Sequence, residues 1–195
     1  MANRLRQLEQ FANPTRFMAW SRPIMLVLTV GAATLLAIGL YQAFFVAPED
    51  YQQGQTVRIM FVHVPSAWLA MMGYGLVALS SFGLLVFRHP LADVSAKAAV
   101  PIGAAFTFLA LVTGSLWGKP MWGTYWVWDA RLTSVLVLFF MYLGLMALRS
   151  SMDDELLAGK LTAVLAIVGV VILPFIKISV EGLSIPWLGI ELPSW

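Results

Sequence analysis

Residues 24–45 read IMLVLTVGAATLLAIGLYQAFF, an unbroken run without a charged side chain. As a helix rising about 1.5 Å per residue it covers about 33 Å, enough to cross the roughly 30 Å hydrocarbon core of a bilayer. Four more apolar runs follow, at residues 66–87, 98–117, 134–148 and 161–176, separated by short polar segments. Leu132 and Thr133 lengthen the fourth. The pattern predicts an all-α integral membrane protein, a polytopic bundle of five transmembrane helices forming a single membrane domain over residues 1–195. Gly103, Thr107, Thr113 and Gly114 in the third run permit close helix contacts in lipid. Pro101 and Pro174 are expected near helix ends, where a lost backbone bond is more easily satisfied.

Composition supports this reading. Of 195 residues, 60% are apolar and 11% charged, and the mean hydropathy is +0.82. Soluble domains sit nearer about 45–50% apolar. Cysteine is absent, which excludes disulfides, thiolate metal sites, iron–sulfur clusters and thiol nucleophiles. A net charge of +2, dispersed along the chain, gives no footprint for nucleic acid.

Basic residues set the expected orientation, because cytoplasmic loops are enriched in Lys and Arg. One set of alternate loops holds Arg4, Arg6, Arg16, Arg22, Arg88, Lys97, Arg149 and Lys160; the other holds only Arg58, Lys119, Arg131 and Lys177. The amino-terminal segment, residues 1–23, is therefore expected in the cytoplasm and the carboxyl terminus outside. The first run is read as a span, not a cleaved signal: it is too long and follows about twenty residues that include Pro14. Leu5, Leu8 and Phe11 recur at helical spacing among charges and suggest a short helix on the inner surface. The cytoplasmic loops look like connectors, with a His89-Pro90 turn in one and Ser151-x-x-Asp154 as a helix cap in the other.

The outer loops are different, since Trp117, Trp122, Trp126, Trp128, Trp187 and Trp195 all fall there while Trp20 lies inside. An aromatic belt explains Trp187 and Trp195 well, but a belt populates both interfaces. In the segment spanning 118–133, a helix continuing past Pro120 would place Trp122, Tyr125, Trp126, Asp129 and Thr133 on one stripe. Such a stripe is an aromatic shelf suited to a flat, polarizable ligand. Lys119 and Arg131 flank it and can pair with anionic groups at the ligand's edge. Asp129 and Arg131, two residues apart, would point in different directions on a helix and are read as having separate roles, a salt bridge between them being the structural alternative. An interfacial helix merely anchored by Trp explains the same segment structurally. Lys177 and Glu181 are spaced to pair across one turn.

His63 sits in Arg58-Ile-Met-Phe-Val-His-Val-Pro-Ser-Ala-Trp68 at the outer end of the second span. An ionisable residue at membrane depth is a functional candidate, and neutral imidazole binds iron. A lone histidine is also often a hydrogen-bonded structural residue; the shelf on the same face is what makes haem ligation the joint explanation. His89, on the other face, is read as interfacial.

The run Trp117-Gly through Trp122-Gly-Thr-Tyr-Trp-Val-Trp-Asp-Ala-Arg-Leu-Thr133, together with the stretch around His63, resembles the tryptophan-rich WWD family of haem-handling proteins of cytochrome c maturation, and within it the CcmC family. Larger relatives, CcmF and CcsA, follow Trp-Asp with Pro and a later Glu, where this chain has Asp129-Ala130-Arg131-Leu132-Thr133. The resemblance extends over residues 20–181. It implies haem b held at the periplasmic face of the bacterial inner membrane by the aromatic segment, with two outward histidines as axial ligands. It also implies transfer to the haem chaperone CcmE within a membrane complex with CcmA, CcmB and CcmD. His63 matches the first family histidine, and Trp117, Trp122, Trp126, Trp128 and Asp129 match the WWD segment.

The tail, residues 177–195, departs from the pattern. After Lys177-Ile-Ser-Val-Glu181 the family continues into Trp-Trp-Asn, a second histidine and a sixth helix, whereas this chain reads Gly182-Leu-Ser-Ile-Pro-Trp-Leu-Gly-Ile-Glu-Leu-Pro-Ser-Trp195. A bis-histidine site would then draw its second ligand from a partner or another subunit. Three readings follow: haem binding and presentation, a haem-exporting subunit of a transporter, and a structural scaffold. No catalytic motif is found, so the chain is read as a non-enzyme.

Overall fold

The fold is given by a computed structural model, which describes residues 14–185 and 190–192. The expected surface helix through Leu5, Leu8 and Phe11, and the interfacial Trp187 and Trp195, lie outside those residues. Within them, five spans are long and apolar enough to cross a membrane: Met18–Val46, Val57–Phe87, Pro90–Trp122, Ala130–Ser150 and Glu155–Glu181. The chain is a polytopic helical membrane protein, as the five runs predict. It divides into two compact units, Met1–Pro48 and Glu49–Trp195.

The first unit is helix α1 (Pro14–Tyr41) running into one π-helical turn, Gln42–Val46. Tyr41 and Phe45 stack across that turn with ring centroids 5.5 Å apart. Leu26, Val27 and Leu35 are among many exposed apolar side chains of α1, an arrangement that lipid tolerates and water does not.

The second unit holds α2 (Val57–Phe87), α3 (Pro90–Trp122), α4 (Ala130–Ser150), α5 (Glu155–Gly169) and α6 (Ile172–Glu181), followed by a hairpin of β1 (Leu183–Ile185) and β2 (Ile190–Leu192). The strands pair antiparallel, Ser184 opposite Glu191; the sequence gives no strand signal there. The fifth span, expected as one run, is broken between α5 and α6. Pro174 has no N–H to close an α-helical bond on the Val170 carbonyl, which instead accepts from Leu173 N at 3.0 Å.

Helix ends bear out the His89-Pro90 turn and correct two other expectations. Arg88 takes the left-handed conformation at φ 52° and His89 is extended, as the residue before a proline prefers, so α3 restarts at once with Pro90 in its first turn. Pro101 consequently lies inside α3 and not near its end. The cap of α5 is Asp154 alone, whose Oδ1 accepts from Leu156 N at 2.9 Å and Leu157 N at 3.1 Å, while Ser151 terminates α4.

The core is built on two tyrosines. Tyr74 of α2 and Tyr142 of α4 are fully buried and meet edge to face, centroids 5.2 Å apart at 78°. Tyr142 donates its hydroxyl to the Ala70 carbonyl at 2.8 Å. A side chain at Gly103 would fall on the Tyr142 ring, and one at Gly169 on the Tyr74 hydroxyl, so these glycines exist to admit the rings. Buried Thr107 and Thr162 return their hydroxyls to the carbonyls four residues earlier, whereas the Tyr74 hydroxyl is buried without a partner.

The tyrosine layer separates two cavities along the same helices. One, about 370 Å³, is lined on α2 between Met60 and Met71, on α3 between Ala110 and Trp122, and on α4 between Arg131 and Leu138. The other, about 340 Å³, is lined on α2 between Val77 and Leu84, on α3 between Asp93 and Pro101, and on α4 between Leu145 and Ser150. At the second, Arg149 grips Asp93 with both terminal nitrogens at 2.6 Å, tying α4 to α3.

Candidate functional site

The first cavity gathers His63, Trp117, Trp122, Trp126 and Arg131. Helix α3 delivers the first two tryptophans. It ends where Gly123 adopts φ 78° and returns its N–H to the Lys119 carbonyl at 3.0 Å, the usual use of glycine just past a helix. Trp122 lies back against Gly118, whose missing Cβ makes the room, and meets Trp117 edge to face at 5.1 Å and 89°.

Because the helix stops there, the predicted helical stripe of Trp122, Tyr125, Trp126, Asp129 and Thr133 does not form. Residues 123–129 cross non-helically, and α4 starts at Ala130. Trp126 nevertheless reaches the cavity from this crossing, with Trp128 edge to face against it at 5.5 Å and 74°. The rings thus line a pocket at varied angles and do not make one flat shelf. Trp128 is 77% exposed; it, Tyr125, Lys119 and Asp129 stand outside the lining. Lys119 is turned to the Gly123 carbonyl, 2.9 Å away, and sits over the Tyr125 ring at 5.3 Å.

Asp129 is the N-cap of α4, its Oδ1 accepting from Leu132 N at 2.7 Å. Its extended backbone frees the side chain from the helical direction, and Oδ2 takes Arg131 Nη2 at 3.2 Å. The expectation that these two residues point apart is therefore corrected. Arg131 also lies over the Trp122 ring at 5.1 Å. The i, i+4 pairing of Lys177 with Glu181 is present as expected.

His63 lies in the second turn of α2, and its Nδ1 is 3.0 Å from the Ala110 carbonyl and 3.1 Å from Thr113 Oγ1, both on α3. A carbonyl only accepts, and Thr113 spends its own proton on Leu109 O at 2.7 Å. Nδ1 therefore carries the hydrogen, and Nε2 keeps its lone pair. His89 is exposed at the opposite end of α2. From His63 to the end of the helix at Phe87 the rise is about 36 Å, so His89 has no part in this cavity.

Two further residues, Trp68 and Lys177, line the cavity without having been read as part of the site, and Gln53 supports it from behind. Gln53 Oε1 accepts from Trp117 Nε1 at 2.9 Å and so fixes that ring from outside the lining. Trp68 and Lys177 line the wall, the ammonium 5.5 Å from the ring centre. Two donors, Trp126 Nε1 and Arg131 Nε, are buried at the site with no protein acceptor. Buried donors without acceptors are costly, and here they suit a ligand that presents anionic oxygens. A lone-pair imidazole, four indoles and a guanidinium around about 370 Å³ are the donor set for a flat, iron-bearing, acidic molecule.

The sequence model that matches the chain, over residues 7–184, is described as CcmC: Heme exporter protein C. The chain is similar to heme exporter protein C of Bradyrhizobium diazoefficiens, 63% identical over 174 residues, covering 89% of this chain and 66% of that protein. To heme exporter protein C of Escherichia coli K12 it is 48% identical over 174 residues, covering 89% of this chain and 71% of that one. A putative cytochrome c biosynthesis ccmC-like mitochondrial protein of Marchantia polymorpha is 45% identical over 160 residues, covering 82% and 66% respectively. The chain spans about two thirds of the length of these relatives.

Proposed function

The chain belongs to the heme exporter protein C family, and on that premise we propose that it binds haem in the tryptophan-lined cavity and hands it on for c-type cytochrome biogenesis. The observation that carries this reading is the tautomer of His63: with Nδ1–H held by Ala110 and Thr113, the lone pair on Nε2 is available as an axial ligand beside the indoles. Haem is cargo here, not a resident catalyst. This chain's part is to grip, orient and release it, and the role is binding and transfer without a catalytic step.

In this proposal Trp117, Trp122 and Trp126 hold the ring, and Arg131, kept in place by Asp129, meets an edge carboxylate. Tyr125 and Trp128, outside the lining, extend an aromatic surface toward a receiver. That receiver is the haem chaperone CcmE, and CcmA, CcmB and CcmD are the membrane partners. The loop 123–129 lies on the periplasmic side of the bacterial inner membrane and the amino terminus in the cytoplasm, as the eight-to-four division of basic residues supports. The cargo is haem b, and a second axial ligand is supplied by a partner or another part of the assembly. The tyrosine layer beneath the cavity favours presentation at one face over passage through this bundle, the exporter reading.

Full-length chain purified in detergent and mixed with haem should develop a Soret band that survives washing and responds to added imidazole. His63→Ala should remove that response. A washed sample without the band would reject haem binding and leave the scaffold reading standing.

A further inference from the structure

The cavity carries two cations, and they are built alike. Arg131 lies 5.1 Å from the Trp122 ring with Asp129 as its carboxylate partner. Lys177 lies 5.5 Å from the Trp68 ring with Glu181 as its partner. Each set is a cation over an indole, held by a carboxylate from its own helix end. They come from different spans, α3 with α4 and α2 with α6, yet Arg131, Trp122, Lys177 and Trp68 line one cavity.

Resting on the haem reading, we propose that Lys177 is the second anion-binding residue of the site. It takes one edge carboxylate of the cargo in exchange for Glu181, while Arg131 takes the other with its unpartnered Nε. Lys119, the cation that the sequence pattern favours for this role, is turned to the Gly123 carbonyl and stands outside the lining. Trp68 keeps the Lys177 ammonium over the cavity wall when it leaves Glu181, because a cation over an indole face is attracted without a counter-ion. Glu181 acts as a positioning residue: it holds the ammonium when the cavity is empty and competes with the cargo when it is filled. The chemistry selected is a planar macrocycle with two carboxylates, not a neutral one.

The test compares haem with haem dimethyl ester, which keeps ring and iron but has no free carboxylate. Affinities are read by absorption titration of the full chain in nanodiscs. The unmodified chain should prefer the diacid. Lys177→Gln should cut that preference about tenfold, the scale of a partly desolvated charge pair, while leaving affinity for the diester unchanged. Lys177→Arg should restore it. Glu181→Gln should strengthen diacid binding severalfold by removing the competitor, and Lys119→Gln should leave the preference intact. Full preference retained in Lys177→Gln, or equal loss for both ligands, would overturn the assignment of Lys177 while haem binding itself stood. Binding of neither ligand by the unmodified chain would instead overturn the haem reading, and this proposal with it.

Discussion

Thr113 stands to His63 as its tautomer lock: the hydroxyl donates to Leu109 O at 2.7 Å and can offer Nδ1 only a lone pair, at 3.1 Å. Next to it, Gly114 leaves the imidazole its space, since a Cβ there would lie 3.0 Å from His63 Cε1.

Gly114→Ala should therefore tilt the ring off its two acceptors without removing the ligand. Changes that disturb the orientation of a metal-binding histidine typically cost about 10–100-fold in affinity, and a loss near the lower end is expected. Haem titration of the folded variant checks it; an unchanged affinity would mean that the packing around His63 does not set its reach.

Trp122→Ala should weaken haem retention more than Trp128→Ala or Trp20→Ala. Trp122 lines the cavity and carries Arg131, whereas Trp128 is 77% exposed and Trp20, on α1, is 66% exposed. An aromatic contact contributes about 0.5–1.5 kcal/mol beyond buried area. Haem content per folded protein, measured side by side, would contradict the cavity if all three variants matched.

Tyr142→Phe and Tyr74→Phe should diverge in stability although both rings are buried. Tyr142 loses a hydrogen bond to Ala70 O and should destabilise the bundle by about 1 kcal/mol. The Tyr74 hydroxyl is buried without a partner, so its removal should be neutral or stabilising. Unfolding in increasing dodecyl sulfate ranks the two; the reverse order would mean that the hydrogen-bond assignment is wrong.

Topology can be read with single cysteines, the chain having none of its own. Thr124 and Asp153 are both exposed, in connections at opposite ends of α4. An impermeant thiol reagent added to intact spheroplasts should label Thr124→Cys and spare Asp153→Cys. Labelling of Asp153→Cys alone would invert the proposed orientation.

The spans were legible because each apolar run approaches the length a bilayer demands, and that length does not depend on what the helix packs against. His63 was legible as a single imidazole near a span end. The path through 123–129 was not read, although its punctuation is local: Gly123 after Trp122 is a helix stop and Asp129 before Ala130 a helix start. Aromatic spacing invited a continuous helix, and backbone capping decided otherwise. Trp68 and Lys177 meet across 109 positions of sequence, a pairing fixed by how α6 packs and invisible to any periodicity. The broken fifth span belongs between these cases: Pro174 announces a disturbance, but only the lost bond on Val170 places it.

A binding cavity sunk into a bilayer shortens the insulation beneath it. From Met71 to Val77 on α2, and from Leu138 to Leu145 on α4, the interval between the two cavities is about 10 Å at 1.5 Å per residue, where lipid alone offers about 30 Å. A file of water through that interval would let ions run down the membrane potential, which stores about 2.3 kcal/mol per charge at 100 mV. The crossed rings of Tyr74 and Tyr142, seated on glycines, fill it with side chains buried to completion. The tyrosine pair thus closes the interval between the two cavities with packed side chains, where an open one would join them.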